Sequence, residues 1–87
     1  MTEEAFQSPI SNVLDLHHFQ AKDAPALIDE FLWQCERTGF LSASIIHGKG
    51  TGELRELVHL KLSKNAQVKE FHLDGENWGK TIFHLNF

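Results

Sequence analysis

Eighty-seven residues with 41% hydrophobic content suit one small domain with a modest core, and two domains within them are not expected. A formal net charge of −4 excludes a general polyanion binder, because nonspecific nucleic-acid affinity comes from lysine and arginine meeting phosphates, so any such contact must be local. The lone Cys35 excludes an intrachain disulfide or multi-cysteine zinc site, and neither a spanning apolar run nor a signal-peptide pattern is present, so a cytoplasmic protein with no membrane partner is expected.

Residues 1–11 are polar, contain Ser8-Pro9 and show no sustained period; they read as a flexible tail ahead of a domain over 12–87. Asn12 to His17 alternates Leu14 and Leu16 with Asp15 and His17, the period-two signal of a half-buried strand. Asp23-Ala24-Pro25 supplies an N-cap and an early helical proline. Ala24, Leu27, Ile28, Phe31, Leu32 and Cys35 then recur at helical spacing up to Gly39.

Ser42 to Ile46 predicts a second short strand, and Gly52 to about Lys64 a second helix with Leu54, Leu57, Val58 and Leu62 on one stripe. Val68 to Leu73 and Thr81 to Phe87 predict two more strands, joined through the turn-rich Asp74 to Gly79 as a hairpin. The order β-α-β-α-β-β indicates an α/β two-layer sandwich. Right-handed crossovers advancing in one direction place both helices on one face of a four-stranded mixed sheet. Leu16, Leu27, Phe31, Ile46, Leu54, Val58, Phe83 and Leu85 are the expected core, with Asp15, His17, His72 and His84 on the open face.

Between the second strand and second helix stands His47-Gly48-Lys49-Gly50-Thr51-Gly52. A glycine-rich turn from a parallel strand into a helix gathers backbone N–H groups where the helix dipole favours an anion, and phosphate is the natural one. Thr51 can cap the helix, and Lys49 and Arg55 can add charge-assisted contacts. A tight turn that needs glycine for geometry alone is the alternative. The loop is not a nucleotide fingerprint: it lacks Gly-x4-Gly-Lys-Ser/Thr, and Glu53 and Arg55 occupy the third glycine positions of Gly-x-Gly-x-x-Gly. His17 and His47 both fall at the carboxyl ends of parallel strands, with Asp15 one side-chain repeat before His17. Carboxylate, imidazole and phosphate-binding amides are the parts of a phosphodiester-cleaving site.

Leu14-Asp15-Leu16-His17 together with His47-Gly48-Lys49-Gly50-Thr51-Gly52-Glu53-Leu54-Arg55 resembles the hallmark motifs of the Smr (small MutS-related) domain, Leu-Asp-Leu-His-Gly and His-Gly-x-Gly-x-Gly-x-Leu-Arg. The resemblance runs from about residue 12 to the end, and its second motif is long and specific. It implies the two-layer fold of the translation initiation factor three C-terminal domain, with sheet order 1-2-4-3. It also implies nucleic-acid binding, with endonuclease activity on DNA or RNA in many members. By the same resemblance Asp15, His17 and His47 are the catalytic candidates, and Gly48, Lys49, Gly50, Thr51, Gly52 and Arg55 the phosphate cradle. One position departs from the pattern: His18 stands where the family usually has glycine, which bears on activity rather than on fold.

Two chemistries stay open. On RNA, one histidine could deprotonate the 2'-hydroxyl while the other protonates the leaving oxygen, without metal. On DNA, Asp15 could hold a divalent cation such as magnesium or manganese that activates water. A second class of function is a non-catalytic interaction module, in which the open face with His72, His84 and Trp78 meets a protein partner such as ribosomal or repair machinery.

Overall fold

The computed structural model describes residues 11–86. The expected tail therefore lies outside the described residues except for Ser11, whose hydroxyl accepts the N–H of Val13 at 3.0 Å. The regular elements are β1 (Val13–Asp15), α1 (Ala24–Thr38), β2 (Ser42–Ile46), α2 (Glu53–Lys64), β3 (Val68–Asp74) and β4 (Asn77–Leu85). They form one mixed sheet in the order β1-β2-β4-β3, with β1 parallel to β2 and β4 antiparallel to both its neighbours.

Both helices pack on one face. Ala24, Ile28, Phe31, Leu32 and Cys35 of α1 and Val58 and Leu62 of α2 are buried in a single core with Ala43, Ile45, Phe83 and Leu85 from the sheet. The apolar offsets of α1 follow the helical repeat, so one continuous stripe meets the sheet. Its end is set by Gly39, whose N–H reaches the carbonyls of Cys35 and Glu36. Across the helices, Lys61 Nζ donates to both carboxylate oxygens of Asp29 at 3.0 Å. Phe31 meets Phe83 edge to face, ring centroids 6.2 Å apart.

The sheet register fixes which side chains face the helices. Ala43 pairs with Phe83 and Ile45 with Thr81, while Ser44 pairs with Ile82 and Ile46 with Lys80. Ile45 is fully buried and Ile46 only half-buried on the other face, so the expected core position moves by one residue. The run Ala43-Ser44-Ile45-Ile46 has apolar side chains at both parities near its end, and only the partner strand decides between them. Leu27 and Leu54 pack at the margin of the core rather than inside it.

Three boundaries differ from the sequence expectation. β1 stops at Asp15, and Leu16–His18 form a 3-10 turn, because Asp15 Oδ1 accepts the N–H of His17 at 2.9 Å and bends the chain. Leu16 still turns inward and is 1% exposed, but His17 leaves the strand's face. Asp23 sits at the N-cap of α1 without a side-chain cap bond, since a 3-10 turn over Ala21–Asp23 feeds the chain into the helix with Asp23 already in a helical conformation. The hairpin turn is shorter than Asp74 to Gly79: Asp74 pairs with Asn77 and its Oδ1 accepts the N–H of Glu76 at 3.0 Å, so β4 begins at Asn77 and carries Trp78.

Candidate functional site

Parallel pairing of β1 and β2 brings Asp15 opposite Ile46, one residue before His47, so the two motifs meet at one edge of the sheet. There they form two distinct groups. In the first, Asp15 Oδ1 braces the 3-10 turn through the His17 amide, while Oδ2 lies 3.9 Å from His18 Nε2. The rings of His17 and His18 are 5.2 Å apart and both residues are exposed.

The donor atoms of Asp15, His17 and His18 all lie within 4.8 Å of one another. A cation holding three donors at about 2.1 Å keeps them roughly 3 to 3.5 Å apart, so the trio fits an ion after modest side-chain rotation, which its exposure permits. Two imidazoles and one carboxylate suit manganese or zinc better than magnesium, which prefers oxygen. His18, the departure from the family pattern, is the third donor.

His47 belongs to the second group and is only 5% exposed. Its Nδ1 is 2.9 Å from the carbonyl of Gly48, which can only accept, so Nδ1 carries the proton. Its Nε2, 2.8 Å from Thr81 Oγ1, therefore accepts the Thr81 hydroxyl proton when the ring is neutral. Thr81 Oγ1 in turn accepts from His59 Nε2, also at 2.8 Å. A directed chain thus runs from His59 on α2, through Thr81 on β4, to His47 and the first peptide of the glycine loop. Burial lowers the pKa of both imidazoles. At His59 any charge on His47, and then the Arg55 charge, would lower it further; at His47 the Gly48 hydrogen bond works against burial and the Arg55 charge adds to it.

Neutral buried histidines give a signed pH dependence. In the unfolded chain they titrate near the ordinary value of about 6.5 and in the folded chain below it. Their contribution is complete above that value and is lost as pH falls toward the folded pKa values. Thermal midpoints measured from about pH 7.5 down to about pH 5.5 should fall for wild type. Thr81→Val should lower stability by about 1 to 3 kcal/mol in chemical unfolding at neutral pH, because it strands a donor on His59 and an acceptor on His47. Unchanged stability in that variant would show that the chain contributes nothing.

The glycine loop is fastened at its start: the N–H groups of His47 and Gly48 both donate to Gly79 O, at 2.8 and 2.9 Å. At its end Thr51 Oγ1 accepts the N–H of Glu53 at 3.2 Å, and Glu56 N–H donates to Gly52 O as α2 begins. Gly52 rather than Thr51 is the N-cap. Two of the three loop glycines are required by the chain itself. Gly48 and Gly52 have φ of 86° and 90°, and a Cβ on Gly52 would stand 2.9 Å from the Arg55 guanidinium. Gly50 is different. Its φ is not left-handed and a Cβ there would meet nothing within 4 Å.

Arg55 folds back over Gly52, and with Lys49 it lines a depression of about 280 Å3 shared with Gly75, Glu76 and Trp78 of the hairpin. Cysteine chemistry has no place here: burial, with Glu36 beside it, raises the Cys35 thiol to about 11. Among the described residues, no helix is long and apolar enough to cross a membrane.

Sheet order, helix placement and the paired motifs at the β1 and β2 ends define a small two-layer α/β domain of the MutS-related kind. The Smr domain family matches residues 14–82, and the chain belongs to it. It is 39% identical over 77 residues to the endonuclease MutS2 of Lactiplantibacillus plantarum, covering 88% of this chain and 10% of that protein. Against the endonuclease MutS2 of Brevibacillus brevis the identity is 44% over 66 residues, covering 76% and 8%. The chain thus spans about a tenth of the length of the curated relatives it matches. In structure it is similar to the Smr domain of Thermus thermophilus MutS2, with TM-score 0.80, 26% identity, and 86% and 98% of the two chains covered. It shares its fold with YdaL, a stand-alone small MutS-related protein from Escherichia coli, at TM-score 0.82, 19% identity, and 97% and 71% coverage.

The sequence pointed to Asp15, His17, His47 and the glycine loop; the structure sets Asp15 beside His17 and turns His47 inward to Thr81. His59 and Thr81 were not singled out as site residues, because 22 positions separate them and neither carries a motif. The buried stripe of α2 passes through Val58, and a half-buried histidine adjoining that stripe was the available signal.

Proposed function

We propose that the domain binds the sugar-phosphate backbone of DNA or RNA at the loop from Gly48 to Gly52 and is a nicking or structure-selective endonuclease acting through Asp15 and His17. The observation that carries the reading is Gly50. No left-handed φ and no neighbouring atom account for glycine there, and the open space over it leaves the loop amides accessible to an approach from outside. The loop amides at the α2 N-terminus supply donors, and Lys49 and Arg55 supply charge. A basic side chain at a helix N-terminus opposes the local dipole, so Arg55 is better explained by an anion it meets than by helix stability. The endonuclease names of the MutS2 relatives point to the same chemistry.

In this reading His47 holds the loop through Gly48 rather than exchanging protons with substrate, since both its ring nitrogens are engaged. His17, exposed beside Asp15 in the 3-10 turn, acts as acid or base. Asp15 orients the turn with one oxygen and keeps the other for a water, a substrate hydroxyl or a divalent cation held with His17 and His18, which would activate water when bound. Labelled RNA and nicked, branched and plasmid DNA, each incubated with and without chelator, test the reading. Cleavage of at least one substrate is expected, and no cleavage of any would leave a binding module. The brace that Asp15 provides is what favours that second reading, because an Asx turn explains the carboxylate without chemistry.

Arg55→Ala should weaken binding to all sequences about equally and flatten the dependence of log affinity on log salt by roughly one phosphate contact. Fluorescence anisotropy over a salt series measures this. An unchanged affinity and slope would reduce the loop to a turn.

A further inference from the structure

We propose that Trp78 is a stacking platform for one unpaired nucleobase, placed beside the phosphate loop so that the domain prefers single-stranded or frayed nucleic acid. The inference rests on the backbone-binding reading above and names its substrate class. Trp78 is 65% exposed at the start of β4, although the indole is the largest side chain available for burial. Its neighbour in the chain is tied to the glycine loop. The next residue, Gly79, accepts the amides of His47 and Gly48, so the indole stands one residue from the clamp that fixes the glycine loop. The depression in front of it is shared with Lys49 and Arg55 on the loop side and Gly75 and Glu76 on the turn side.

A flat aromatic face beside two cations, next to helix N-terminal amides, is the arrangement that takes a base and its flanking phosphate together: stacking tolerates any base, and the cations take the backbone. A duplex base is already stacked on both faces and cannot reach the indole without being unpaired. Lys80, the next cation along β4, is paired with Asp74 at 3.7 Å and is less available to a phosphate. Among the described residues that line the depression, Glu76 is the one carboxylate; it disfavours a phosphate directly over the indole and leaves the apolar base as the group that fits there.

The test uses the full chain in a Trp33→Phe background, so that Trp78 is the remaining indole and reports alone. Oligo(dT), oligo(U), a duplex and an abasic strand of equal phosphate number are titrated. The first two should quench Trp78, and the abasic strand should bind without quenching. Trp78→Ala should lose roughly five- to a hundredfold in affinity for the single strands and little for the abasic strand, and Trp78→Phe should restore most of the loss. Single strands that bind Trp78→Ala as tightly as wild type, or that bind without quenching, overturn the stacking platform and leave backbone binding at the loop intact. A wild-type chain that binds none of the four overturns both.

Discussion

Asp15→Asn is expected to lower the cleavage rate by about a hundred- to ten-thousandfold while leaving the thermal midpoint and most of the binding in place. The two roles of the carboxylate make this substitution informative. Asparagine keeps an oxygen that accepts the His17 N–H, so the 3-10 turn over Leu16–His18 survives. What disappears is the negative charge and proton-accepting capacity of Oδ2, the oxygen that faces His18 at 3.9 Å. Cleavage at the wild-type rate in a folded Asp15→Asn protein would assign the residue to the turn alone. Gel-resolved cleavage under single-turnover conditions, alongside thermal melts, separates the two.

The largest effect on stability is expected at Phe31. Its ring is 7% exposed and meets Phe83, which is fully buried at the centre of the sheet. Alanine there removes the edge-to-face contact and leaves a cavity between α1 and β4, a loss of about 3 to 5 kcal/mol. A domain of this length has about 4 to 13 kcal/mol in all. The variant should therefore be partly unfolded at ordinary temperatures or melt well over 10 °C lower. Chemical or thermal unfolding followed by circular dichroism measures it, and a midpoint within a degree or two of wild type would contradict the core placement.

The parts of the fold set by short-range periodicity were legible. The α1 stripe from Ala24 to Cys35, its stop at Gly39 and the bounds of β2 follow from residues within a few positions of one another. Boundaries set by partners were not. Leu14 and Leu16 point inward whether the chain continues as a strand or turns at Asp15, so alternation could not reveal the 3-10 turn. Ile45 and Ile46 are interchangeable by composition, and pairing with Thr81 and Lys80 decides which is buried.

The candidate site divides the same way. The glycine loop and Leu14-Asp15-Leu16-His17 are contiguous motifs and could be read directly. The inward turn of His47 depends on Thr81, 34 residues away, and on His59 behind it. His47 lies in a motif and His59 adjoins the α2 stripe, but their connection through Thr81 across a sheet and a helix leaves no local trace in a sequence.

The central claim is that the loop between β2 and α2 receives a nucleic-acid backbone, and amide chemical-shift mapping tests it most directly. A 15N-labelled sample titrated with a short oligonucleotide should show its largest shifts at Lys49, Gly50, Thr51 and Gly52, with smaller ones at Arg55 and Trp78. The same peaks should move less as salt is raised. Shifts confined to the His72 and His84 face, with the loop amides unmoved at saturating ligand, would contradict the account.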